Sequence, residues 1–530
     1  MLSLLKSFYL NIGKRGLYWG PLLLFSLLGY SFSIYNRTIH WDDLLKDYYN
    51  ESMLSNRWGM VLWGKLMGTT DLVPFTDRFL TLFFLITASV LLSVLFFHLN
   101  NRRGEVLAYT VLSSMVLTYP LINEIYEFTG ADIQYAGNLA LMILAFIYMT
   151  LKRSEASPKV FIVATLIMTL PAASYEVAMF SYLVLLCAVI LYKYSILESK
   201  QISLKQWLSE NFYYLSPLIV AILLRFVVAY FLREIYDIPF NNGGSTGISY
   251  EKTTLSYILG SNGFRYFFAG LVYFPITIFV FSVIAFSLFI IVIFGKRHNY
   301  HIFVWGLIFF LSVFSLTLLQ GVCMQYRTAQ TLVIFVSFVA FLLCTLQIKY
   351  RAIIRYSLLF LCMHQAIYLN NVLSLNNMRS NNEAACIRYV GFKLMSEYDI
   401  RKPIILITEE DYYSGYLGPW VDKRVRADLS TWNGRLFNSL TEKYLPEKYH
   451  NYKYLNSNVI NAIGLGGTQA KSFQYYGFDL NIQGLSTVLS SIKDTNRRKS
   501  IEKMYMNLDH EIPPLGIKDI GECIIVNMVQ

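Results

Sequence analysis

Eleven apolar segments punctuate the first 371 residues of this 530-residue chain, at 17–34, 75–98, 106–123, 134–151, 158–173, 177–193, 212–232, 267–295, 301–320, 329–347 and 353–371. A helix that crosses a bilayer needs roughly 20 mainly apolar residues. In lipid its backbone polar groups must be satisfied internally, so runs of this kind are expected to be helices. Composition agrees: 55% of residues are hydrophobic, 16% are aromatic and the mean hydropathy is +0.43, which excludes an ordinary soluble domain. Aromatic residues crowd the segment ends, as at Tyr18-Trp19 and Phe96-Phe97, where interfacial belts form. The segment at 158–173 is short, and the one at 267–295 is long enough to tilt or to break at Pro275.

The net charge of +11 does not indicate nucleic-acid binding, because the basic residues form no single stripe. Lys6, Lys14 and Arg15 precede the first segment. Arg102-Arg103, Lys152-Arg153, Lys193 with Lys200 and Lys205, Lys296-Arg297, and Lys349 with Arg351 follow at every second connection. The connections near 121–133 and 171–176 carry no Lys or Arg, and the one near 321–328 carries only Arg327. The positive-inside rule then predicts a cytoplasmic N-terminus and an extracytoplasmic C-terminus. The first apolar run is too long for a signal-peptide core and lacks a small-residue cleavage site, so it is expected to stay as an anchor.

Three outer regions are large: 35–74, 233–266 and the tail from 372. The second holds the turn-forming cluster Asn241-Asn242-Gly243-Gly244-Ser245. In the tail, Ile404–Ile407 and Ile524–Met528 read as buried strands, and 383–398 and 488–507 read as helices. The predicted architecture is an all-α polytopic membrane domain of about eleven transmembrane helices (1–371) followed by a small α/β extracytoplasmic domain (372–530). Of the six cysteines, Cys187, Cys344 and Cys362 fall inside apolar segments and Cys323 near a segment end. Cys386 and Cys523 flank the tail and are suited to a bridge if it faces an oxidising compartment.

The polar residues of the outer connections are the candidates for chemistry. Asp42 and Asp43 follow the first segment. A carboxylate there is suited to accept a proton from a hydroxyl, or simply to cap a helix starting at Leu44. Trp58, Val61, Leu62 and Leu66 share one helical face, with Arg57 and Lys65 beside it, a pattern that fits an interfacial helix. Arg57 can grip phosphate oxygens in a bidentate way or act as an interfacial anchor. Glu124, Glu127 and Asp132 lie between the third and fourth segments, Tyr175-Glu176 between the fifth and sixth, and Tyr326-Arg327 between the ninth and tenth. Ionisable groups so near hydrocarbon are functional candidates, although Arg327 can also snorkel. Arg225 lies inside a segment, where arginine costs about 2.5–3.5 kcal/mol, so it should face a wet cavity or pair with an acidic loop residue. His364 reads as core packing. There is no Walker-type phosphate loop, no GxGxxG after a strand, no HExxH and no CxxC. No cofactor and no metal site are expected.

The acidic pair Asp42-Asp43, then Asn56-Arg57-Trp58, then Thr70-Asp71 and Pro74 before the second segment, resembles the type II glucosyltransferase family of serotype-converting O-antigen glucosyltransferases. Those proteins are grouped with the C-type membrane glycosyltransferase fold. The resemblance implies a bacterial inner-membrane enzyme that moves a sugar, expected to be glucose, from a polyprenyl-phosphate donor to an O-antigen or lipopolysaccharide glycan on the periplasmic face, with inversion. It implies Asp43, or Asp42, as the general base, and Arg57, Trp58, Tyr175, Glu176, Arg225, Tyr326 and Arg327 as substrate-binding residues. It further implies the lipid bilayer, a donor-synthesising transferase and a flippase as partners, and no nucleic acid. Three positions depart from the family pattern: Asn56 stands for a glycine, Glu176 for a glutamine, and Tyr326 for a proline before Arg327. A polysaccharide or lipid-linked-sugar transporter is the main alternative, and an O-antigen polymerase or ligase the next. The absence of an obvious internal repeat counts against transporters built from inverted repeats.

Overall fold

The computed structural model describes residues 1–14, 16–36, 52–53, 56–68, 74–122, 132–155, 157–197, 204–237, 274–297, 301–315, 330–346, 349–407, 473–474, 477–506 and 515–528. The chain divides into two units, Met1–Tyr35 with Tyr49–Asn371, and Asn36–Tyr48 with Val372–Gln530.

The first unit is helical. Its elements are α1 (Leu2–Phe8), α2 (Gly16–Tyr35), α3 (Trp58–Met67), α4 (Pro74–Leu99), α5 (Val106–Thr118), α6 (Asp132–Leu151), α7 (Pro158–Ser174), α8 (Glu176–Ile190), α9 (Leu204–Tyr236), α10 (Phe274–Arg297), α11 (His301–Ser312), α12 (Gln330–Thr345) and the start of α13 (Arg351–Glu397). Every one of the eleven apolar segments contains a helix. Among the described residues seven helices are long and apolar enough to cross a membrane, and four shorter apolar helices accompany them. The described part of the segment 267–295 is one helix, α10, and the residues before Phe274, where a break at Pro275 would show, lie outside the described ones.

The distribution of side chains fits a polytopic helical membrane protein. Leu23, Leu24 and Leu27 of α2, and Phe75, Phe79 and Phe83 at four-residue spacing on α4, are exposed. Small and polar residues are buried alongside the large apolar ones. The Tyr18 hydroxyl and the Ser93 hydroxyl each lie 2.7 Å from the Ser113 hydroxyl, which donates to the Ser89 carbonyl at 3.0 Å. Tyr30 donates to the Leu117 carbonyl at 2.7 Å. These bonds join α2, α4 and α5, the kind of short-side-chain packing that draws helices together in lipid.

The second unit is built on a three-stranded sheet, β1 (Ile404–Ile407), β2 (Ile517–Asp519) and β3 (Ile524–Asn527), in the order β1-β3-β2. β1 pairs parallel with β3, Ile404 opposite Ile524, and β2 pairs antiparallel with β3. Neither β1 nor β3 alternates apolar with polar residues, because both faces of the sheet are covered. Ile404, Leu406, Ile524 and Val526 pack with Cys386, Ile387, Val390 and Leu394 of α13. Ile405 and Ile525 pack on the opposite face with Val488 of a helix at Leu485–Ser491 and Ile501 of another at Thr495–Met506. Cys386 therefore belongs to one face and Cys523 to the other, and no bridge joins the two. A bridge needs Cα atoms within about 7 Å, which opposite sides of a sheet do not offer.

Two further readings change. The last apolar segment and the expected helix at 383–398 are one continuous helix, α13. The single helix expected at 488–507 is two, separated by Ile492, Lys493 and Asp494.

Candidate functional site

α3 explains how the site is held. Leu62 and Leu66 of its apolar stripe are exposed, as an interfacial helix allows, and the face packed into the protein is Gly59, Met60, Trp63 and Gly64. Two glycines permit that packing. A Cβ on Gly59 would lie 2.6 Å from Ser174 Oγ, 2.7 Å from the Ala173 carbonyl carbon and 2.8 Å from the Leu170 oxygen. A Cβ on Gly137 of α6 would lie 2.8 Å from the Trp63 ring. Trp63 Nε1 donates to Asn138 Oδ1 at 2.9 Å, and Gln134 Nε2 donates to the Met60 carbonyl at 3.2 Å. Trp58 Nε1 donates to the main-chain carbonyl of Arg225 at 3.1 Å. α3 is thus pinned to α6, α7 and α9 at once.

This docking brings five of the sequence candidates together. Arg57, at the residue before α3, donates from Nη2 and Nε to Glu176 Oε2 at 3.0 and 3.2 Å. Arg225, from within α9, donates from Nη2 to Glu176 Oε1 at 2.5 Å and from Nε to the Asn56 carbonyl at 3.0 Å. The acidic partner expected for Arg225 is therefore Glu176. The Arg57 guanidinium lies 5.1 Å from the Tyr175 ring centroid, within cation–π range. Tyr175 precedes α8 with an extended backbone and forms the elbow between α7 and α8. Asn56, which stands for a glycine in the family pattern, has φ +58, a left-handed conformation that asparagine tolerates better than most residues.

Charge and exposure define what the cluster can do. Two guanidiniums share one carboxylate, so these three side chains carry a formal charge of +1 between them. The starts of α3 and α8 both lie here, and their dipoles add to the positive potential. Side-chain exposure is 2% for Arg225, 14% for Glu176 and 23% for Arg57. The cluster is therefore graded in exposure, with Arg225 buried at its base and Arg57 nearest the surface. A planar guanidinium in that position suits phosphate oxygens.

The remaining sequence candidates, Asp42, Asp43, Tyr326 and Arg327, lie outside the described residues, as do Glu124 and Glu127. Asp132 is not a connection residue but the first residue of α6. Its Oδ1 accepts the Ile133 N–H at 2.9 Å, and its Oδ2 accepts from Arg78 Nη1 at 3.3 Å, with both side chains buried. Arg78 and the buried Asp77 were passed over in the sequence. The signal was present: adjacent ionisable residues inside the apolar segment 75–98 are costly and so worth questioning.

A second set of ion pairs marks the other ends of these helices. Arg153 pairs with Glu210 at 3.2 Å, Arg351 with Glu105 at 3.0 Å, and Arg355 with Glu105. Arg355 also donates to the Cys344 carbonyl at the end of α12. No protein-family model, curated protein or solved structure matches this chain.

Proposed function

We propose that the chain is a membrane glycosyltransferase that moves a sugar, in our reading glucose, from a polyprenyl-phosphate donor to an O-antigen glycan. In this reading eleven helices cross the inner membrane, the N-terminus is cytoplasmic and the α/β unit is periplasmic. The observation that carries it is the Arg57–Glu176–Arg225 cluster. It joins two arginines to one carboxylate in a partly buried cluster, with Arg57 partly exposed, at the helix ends that the charge pattern assigns to the outer face.

The departing lipid phosphate would be stabilised by Arg57, with Arg225 behind it fixing the carboxylate that orients Arg57. Preorganised charge of this kind is most effective where water is scarce. Asp43 or Asp42 would take the proton of the acceptor hydroxyl as that oxygen attacks the anomeric carbon, displacing the lipid phosphate with inversion. Tyr326 and Arg327 would complete the donor contacts, and Trp58 would act by tying α3 to α9. A lipid-linked-sugar transporter is the second reading, favoured by the buried Arg78–Asp132 pair, since ionisable groups inside a membrane domain also mark transport paths.

The test is mass analysis of the surface glycan in cells with and without the chain. Hexose addition is expected only with the chain, and it should be lost in Arg57→Ala and in one of Asp42→Asn or Asp43→Asn at unchanged membrane levels. A glycan of unchanged mass in the presence of the wild-type chain, with lipid-linked sugar accumulating across the membrane, would favour the transporter.

A further inference from the structure

We propose that a water molecule is bound inside the first unit where α5 meets α13, held between the Ser114 hydroxyl and the Gln365 amide.

The two helices run side by side in one direction. Glu105, just before α5, pairs with Arg355 of α13, and further along both chains Thr118 Oγ1 donates to Gln365 Oε1 at 2.9 Å. Thr118 also donates to the carbonyl of Ser114, one turn earlier, at 2.9 Å. Cys362, one turn before Gln365, faces the same hydroxyl. Long side chains on a helix lean back toward its N-terminus. Gln365 therefore leans along α13 toward the level of Ser114, and Thr118 is the point on which both residues converge.

Hydrogen bonding at this crossing is incomplete. Ser114 and Gln365 are fully buried, and among the described residues neither Ser114 Oγ nor Gln365 Nε2 has a hydrogen-bond partner. Ser114 also departs from the habit of other buried helix serines. Ser26, Ser181 and Ser337 each donate to the carbonyl four residues back, and Ser114 does not. A buried polar group left without a partner is costly. Groups of this kind, brought together from two elements, are where proteins keep internal water, which bonds to about three partners. Water suits both, because it accepts from Gln365 Nε2 and donates to Ser114 Oγ. Hydrogen bonds between helices also hold membrane bundles together, so the water would join α5 to α13 beside the direct Thr118–Gln365 bond.

The experiment images the purified full chain in lipid nanodiscs at a resolution that shows ordered water. A density peak within hydrogen-bond distance of both Ser114 Oγ and Gln365 Nε2 is expected. Direct contact between the two groups, or apolar side chains filling the crossing, overturns the inference. Thermal unfolding of two variants in one detergent gives a second readout. Ser114→Asn brings an amide that can take the place of the water and bond Gln365 directly. Ser114→Val fills similar volume and leaves Gln365 unpaired. Ser114→Val is expected to unfold about 2–4 °C below Ser114→Asn. Equal losses, or a greater loss in Ser114→Asn, would mean a close-packed crossing and no bound water. If neither variant folds, the wild-type density decides alone.

Discussion

Arg225 is the most committed side chain of the cluster, and its surroundings predict how the cluster breaks. Its guanidinium is almost fully buried and bonded to Glu176 and to the Asn56 carbonyl. Removing one partner of a buried pair leaves an uncompensated charge and costs about 3–5 kcal/mol. Glu176→Ala is therefore expected to lower the unfolding midpoint severely. Arg57→Ala removes a more exposed partner and should cost no more than about 1 kcal/mol. Thermal unfolding of both variants in one detergent checks this; similar losses would mean that Arg57, too, is structural. At this scale the sequence was informative where chemistry is unusual. An arginine inside an apolar segment demanded a partner, and Glu176 was one of few acids available. The sequence did not reveal which acid, because the two residues lie 49 positions apart and meet only through the packing of α7, α8 and α9.

α3 is the element on which the site depends, and its packed face combines two glycines with Met60 and Trp63 rather than using the Leu62-Leu66 stripe. The three closest atoms to a Cβ on Gly59 include the main chain of α7, which cannot move cheaply. Those facing Gly137 belong to the Trp63 ring, which can. Overpacking of this kind costs about 1–3 kcal/mol. Gly59→Ala should displace α3, weaken anion binding through Arg57, and resist rescue. Gly137→Ala should be relieved by the smaller side chain in Trp63→Leu. A double-mutant cycle on stability checks this, and additive losses at Gly137 and Trp63 would rule out the proposed contact. The apolar stripe Leu62-Leu66 was legible in the sequence, but the packed face of Gly59, Met60, Trp63 and Gly64 was not. In lipid an apolar face need not turn inward, and close packing falls to small residues. The continuity of α13 was hidden for a related reason. The apolar signal fades near the asparagines at 376–377 and 381–382, yet no Gly or Pro interrupts the chain from Arg351 to Val390. Asn381 Nδ2 bonds Asn377 Oδ1 at 3.1 Å within the helix. The break between the two late helices did leave a sign: Asp494 Oδ1 accepts the Asn496 N–H at 2.8 Å, an N-cap that aspartate commonly supplies.

The whole first unit is organised in two charged levels, and their separation bears on how many helices cross the membrane. Arg153 and Glu210 meet at one level, and Glu176 and Arg225 at the other. Along α9, Glu210 and Arg225 are fifteen residues apart, about 22 Å at 1.5 Å per residue. α7 runs between Arg153 and Glu176 in the chain and has 17 residues, or about 25 Å. It is shorter than a typical span, yet it covers the same distance as the part of α9 that joins the two levels. In the proposed eleven-helix reading α7 crosses with its longer neighbours, and this match in length is consistent with that proposal. If only the seven long helices crossed, the turn at Arg153–Glu155 would face the side opposite the start of α9, which the Arg153–Glu210 pair opposes. The eleven-helix topology therefore predicts opposite faces for two exposed positions, Ser154 and Asp237. In cells carrying the chain with its native cysteines replaced by serine, Asp237→Cys should react with a membrane-impermeant maleimide from outside. Ser154→Cys should react only after the inner membrane is opened. Labelling of Ser154→Cys in intact cells would place α7 outside the set of crossing helices and move Lys152 and Arg153 to the outer face, against the charge rule that orients every other connection.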